Sequence, residues 1–89
     1  MKPIVKFIKD IDLGEGMTGD RSQKLWQLAD GRYIITSRTD DPLYRIHETY
    51  LFTGDADGKI TDWTELPGSR KGEVSHQEAI ENFIDASQS

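Results

Sequence analysis

Three stretches of this sequence carry residue types that do chemistry, at spacings that invite it. Gly14-Glu15-Gly16-Met17-Thr18-Gly19 spells G-x-G-x-x-G. In a dinucleotide-binding fold such glycines let the backbone approach a pyrophosphate at a helix N-terminus. That use requires a helix after the motif, and the residues between Gly19 and Gly31 read as a strand. The chain is also too short for a useful doubly wound sheet, so the motif reads as a flexible loop and no cofactor is expected. Thr53, Asp55, Asp57 and Gly58 fall at positions 1, 3, 5 and 6 of an EF-hand loop. The ion needs a carboxylate at position 1 and a bidentate one at position 12, where this chain has Thr53 and Thr64. The stretch reads as an Asp/Gly-rich hairpin turn. His47 and His76 are the only histidines, with no ligand spacing between them, and both are expected at the surface. With no cysteine, thiolate sites and disulfides are excluded, and no metal site is expected.

Nucleophilic and acid–base catalysis lack their parts as well. No serine sits in a nucleophile elbow, and nothing places a carboxylate in a pocket that would raise its pKa. An enzyme is not expected. What remains is the densest acidic stretch: Glu48, Asp55, Asp57, Asp62 and Glu65, with Trp63 among them. Its functional reading is an acidic surface with an aromatic anchor for a basic protein partner. Its plainer reading is a solvated hairpin with Trp63 in the core.

Several elements must position these residues. Ile4–Ile8 reads as a strand with Pro3 at its entrance. Asp30-Gly31 between two apolar-rich runs has the signature of a two-residue hairpin turn, which pairs Leu28 with Tyr33, Gln27 with Ile34 and Trp26 with Ile35. Trp26, Leu28, Tyr33 and Ile35 then share the core face, and Leu25 and Ile34 share the other. Thr39-Asp40-Asp41-Pro42 reads as a loop, Glu48–Thr53 and Ile60–Trp63 as strands, and Pro67–Gly72 as a polar loop. Ser75 and Glu78 have capping-box spacing, and Ala79, Ile80, Phe83 and Ile84 form one apolar stripe of a helix. The fold class expected is α+β: an antiparallel sheet of four to five strands with one C-terminal helix packed on one face. Residues 1–86 form one domain and 87–89 a frayed tail. With one face covered, Leu25 and Ile34 point outward and are candidates for self-association as a homodimer.

Eighty-nine residues make one domain with a modest core. Net charge is −5, unevenly spread: residues 1–47 carry eight Lys/Arg against seven Asp/Glu, and residues 48–89 three against nine. An acidic C-terminal half disfavours direct binding of nucleic acid or anionic lipid and permits a cationic partner. No apolar stretch is long enough to span a membrane, and no signal peptide is visible. A cytoplasmic location is expected.

The runs Tyr33–Ser37, Glu48–Phe52 and Asp57–Ser69, followed by Gly72 and His76-Gln77-Glu78-Ala79, resemble small uncharacterised proteins of phages and bacterial prophages that share an E-T-x-x-F … D-G-x-x-x-D-W-x-E-L-x-G-S pattern. The resemblance implies a small accessory protein, of the kind that blocks a host enzyme or defence complex, as anti-CRISPR proteins do. The function expected is non-enzymatic protein binding through the acidic half. The alternative is a structural or self-assembling accessory protein.

Overall fold

The computed structural model describes residues 5–12, 20–41, 43–67, 69–72 and 74–88. The glycine motif at 14–19 lies outside them, as do Pro42 and Ser89. Six strands precede one helix: β1 (Val5–Ile11), β2 (Asp20–Leu28), β3 (Tyr33–Asp41), β4 (Ile46–Gly54), β5 (Ile60–Asp62), β6 (Arg70–Lys71) and α1 (His76–Gln88). The sheet runs β1-β2-β3-β4-β5, all antiparallel, with the two-residue β6 paired to β4 beside β5. This is the expected α+β architecture.

The β2–β3 turn forms where Asp30-Gly31 predicts it, but with one residue more. Gly31 N–H donates to Leu28 O at 2.9 Å and Leu28 N–H to Arg32 O at 2.8 Å, closing a three-residue loop over Ala29, Asp30 and Gly31. Gly31 takes a φ of +96°, the left-handed residue that such a loop requires. The pairing is therefore Gln27 with Tyr33, Trp26 with Ile34, and Leu25 with Ile35. A shift of one residue moves a whole partner strand to the opposite face. Leu25 and Ile34 accordingly do not share a face and do not point outward. Both are buried, at 0% and 2% exposure, which removes the patch expected to drive self-association.

The sheet curls and so buries apolar residues on both sides. One face packs Trp26, Ile34 and Leu51 under the helix stripe of Ala79, Ile80, Phe83 and Ile84. The other encloses Leu25, Ile35 and Phe52. Gly54 borders that second cluster so closely that a Cβ would stand 2.5 Å from Ile35 Cδ1. Across the curl, a Cβ at Gly58 would meet Ile11 of β1 at 3.3 Å, so the β4–β5 turn reaches the first strand.

Several boundaries differ from the sequence reading. β3 continues through Thr39–Asp41 because Asp40 is held there. Its carboxylate accepts both Nε (2.8 Å) and Nη2 (2.7 Å) of Arg38 and lies 2.8 Å from His47 Nδ1. The polar loop after Pro67 contributes β6. The helix begins as expected, with Glu78 N–H donating to Ser75 Oγ at 3.1 Å, and spans His76–Gln88.

Candidate functional site

The β4–β5 hairpin carries the acidic residues, and its geometry sorts them into two groups. Asp55 and Asp62 are turn residues. Asp55 Oδ1 accepts from the N–H groups of Asp57 and Lys59, each at 3.0 Å. Asp62 Oδ1 accepts from Thr64 N–H at 2.9 Å. These backbone donors hold both carboxyls below their ordinary value, with Lys59 the leading donor for Asp55 and Thr64 for Asp62. Asp62 stands opposite Thr53, in the row that faces the helix side of the sheet. Asp57 is exposed at the tip.

The second group gathers on the curl's other face. Alternation along β4 puts Glu48, Tyr50 and Phe52 on one side. Trp63 lies against Phe52, with ring centroids 5.3 Å apart, and Phe52 lies 6.4 Å from Tyr50. Phe52 is 8% exposed and Trp63 is 71% exposed. A buried ring therefore supports an open one. Burial first, and then its hydrogen bond to Glu48 and the charges of Glu48 and Glu65, push the Tyr50 hydroxyl above its ordinary value. The structure thus assembles Glu48, Trp63 and Glu65 around Tyr50 and Phe52. It leaves Asp55, Asp57 and Asp62 to the hairpin's turns and tip.

A second feature was not expected. His76 is buried at 8% exposure rather than at the surface. Its Nδ1 lies 2.6 Å from Thr36 Oγ1 and its Nε2 lies 2.8 Å from Ser22 Oγ. Trp26 Nε1–H donates to the same Thr36 oxygen at 2.9 Å. One proton arrangement satisfies every group: Trp26 to Thr36, the Thr36 hydroxyl to Nδ1, and Nε2–H to Ser22. With its proton on Nε2, the imidazole cannot take one from Ser22. The partner of Nδ1 is the Thr36 hydroxyl, and among the described residues no carboxylate stands there to support an imidazolium, as one does in a catalytic triad. Burial, with the charges of Lys24 and Arg38, lowers the His76 pKa to about 4. The network pins helix to sheet. Its signal was present in the spacing, since His76 precedes Ile80 by four residues and Phe83 by seven, on the helix's apolar stripe.

Arg38 and Thr49 fasten the segment before the helix. Arg38 Nη1 donates to Val74 O and, at 3.0 Å, to Thr49 Oγ1, and the Thr49 hydroxyl donates to Val74 O at 2.6 Å. Beside α1, a cleft of about 500 Å³ opens over the β1–β2 part of the sheet. Among the described residues there is no group of three or more His, Cys, Asp and Glu placed to hold a metal, and no helix long and apolar enough to cross a membrane. No family model, curated protein or solved structure matches the chain.

Proposed function

We propose that this chain is a non-enzymatic binding protein whose β4–β5 surface docks a basic protein. The observation that carries the reading is Trp63: a large aromatic ring left 71% exposed, yet supported at 5.3 Å by the buried Phe52. Exposed aromatics fixed in one pose lose little entropy on binding and dominate interface energetics. Glu48 and Glu65 stand beside the aromatic group, so a partner with Lys or Arg around an apolar recess matches it in charge and shape. The finer reading, an inhibitor of a host or defence factor, is supported by the sequence resemblance alone.

The test is capture of partners on immobilised native protein beside Trp63→Ala. Truncation should weaken capture about 30-fold or more, the scale of an interface hot spot, with the melting temperature unchanged. Equal capture by both proteins would refute the reading.

A further inference from the structure

The β3–β4 connection ends in an apolar tip: Leu43 is 80% exposed, Tyr44 72% and Ile46 39%. The tip is a built shape. Asp41 Oδ1 accepts from Leu43 N–H at 3.0 Å and Tyr44 N–H at 3.2 Å. Arg45 adopts a φ of +54°, the one positive value at a non-glycine among the described residues. A long side chain in that region is strained, and the strain persists only where surrounding structure holds it.

The cleft beside α1 is its counterpart. Val5, Phe7, Trp26 and Ile80 line it, with Lys24 on the sheet side and Glu81 on the helix side. It stays open because α1 packs on β3 and β4, leaving Phe7 45% exposed and its ring in a T-shaped contact with Trp26, centroids 5.3 Å apart. Addition of a strand at the β1 edge is disfavoured. Its pairing with β2 is interrupted by an irregularity between Phe7 and Lys9, and Lys6 and Lys9 are exposed, both devices that protect edges. The cleft therefore suits inserted side chains.

From these two features we infer that the cleft receives the Leu43–Tyr44 tip of a second copy of this chain. The charge patterns match. The tip reads acid, apolar, apolar, base: Asp41, Leu43, Tyr44, Arg45. The cleft presents Glu81 on one side of an apolar floor and, on the other, Lys24, which Asp10 already holds in an ion pair, so Arg45 meets Glu81 while Asp41 comes to the Lys24 side. Neither Arg45 nor Glu81 has an ion pair among the described residues. Tip and cleft lie toward opposite ends of the sheet, about 24 Å apart along β3 at ~3.4 Å per residue. Two copies set antiparallel can each give a tip and take one, which closes the assembly as a two-fold dimer. This inference uses no residue of the Trp63 surface and stands or falls apart from it.

Sedimentation of the native protein across micromolar concentrations should show a monomer–dimer equilibrium. Tyr44→Ser should weaken the dimer by about tenfold or more, as loss of an aromatic anchor does. Arg45→Glu and Glu81→Arg should each weaken it, and the two together should restore it. Circular dichroism should show all variants folded. Native protein that stays monomeric at high micromolar concentration would overturn the inference. So would a charge exchange that fails to restore association, a ladder of growing oligomers, or sedimentation of the native monomer with anionic vesicles through Tyr44.

Discussion

His76 Nδ1 stands 2.6 Å from Thr36 Oγ1, joining the first turn of the helix to the third strand through an oxygen that also accepts the indole N–H of Trp26. A threonine with no exposure thus serves two aromatic side chains at once. Thr36→Val keeps the shape and removes the oxygen, leaving the Trp26 N–H and His76 Nδ1 unpaired in the core. The expected cost is about 1–3 kcal/mol, read by denaturant unfolding. Adding Trp26→Phe to Thr36→Val should cost less than the sum of the two changes, because the shared bond is already gone. Strict additivity would show that the bond contributes nothing.

The same histidine sets an acid limit on the fold. In the unfolded chain it protonates near 6.5, and in the folded chain only near 4, chiefly because burial opposes the charge. A depressed histidine pKa means that the unfolded state binds more protons between those values, so stability falls as pH drops through that window. It is fully present above 6.5. Melting temperature should therefore decline from neutral pH toward 4 in the native protein. His76→Leu should melt lower at neutral pH yet decline less over that interval. Parallel declines would place the acid sensitivity elsewhere.

Two glycines should respond to substitution for different reasons. A Cβ at Gly31 meets nothing within 4 Å, so Gly31→Val should cost about 1–3 kcal/mol through its φ of +96° alone. Gly31→Asn should recover much of that, since Asn tolerates the left-handed region. At Gly54 the cost is steric, because a Cβ would overlap Ile35 Cδ1. Gly54→Ala should destabilise by about 1–3 kcal/mol, and Ile35→Val should relieve part of it. Unfolding of the four variants checks both halves.

How much of this was legible in the sequence depends on what each residue couples to. Ser75, Glu78 and the Ala79–Ile84 stripe act within one helix, and the sequence reading located them. Asp30-Gly31 located its turn, but a two-residue and a three-residue loop both place Gly where φ is positive, so the dipeptide cannot choose the register. Hydrophobic pattern normally arbitrates such a choice. Here it could not, because the curl buries Leu25 and Ile35 on one face and Trp26 and Ile34 on the other. Trp63 carried no sign of whether its ring was core or surface, since that depends on Phe52 across the hairpin. Leu43 and Tyr44 were passed over because isolated apolar residues in a connection say nothing about exposure.

Asp55 and Asp57 were grouped as one acidic patch, and the hairpin separates them. Asp55 holds the turn through two backbone N–H groups, so Asp55→Lys should lower the melting temperature, while Asp55→Asn, which keeps an acceptor, should not. Asp57 is exposed and its carboxylate has no such task, so Asp57→Lys should leave the fold intact. Its effect should appear in binding instead. Attraction between exposed charges is screened over about 8–10 Å at physiological ionic strength. Rim charges mainly steer encounter. Against a basic partner, Asp57→Lys should therefore slow association more than it speeds dissociation, and the gap from native protein should shrink as salt rises. Glu65→Lys, beside Tyr50 and closer to the aromatic group, should also speed dissociation. Association and dissociation rates at two ionic strengths decide the matter. Rates that ignore both salt and these substitutions would show that the acidity serves no recognition, whatever Trp63 binds.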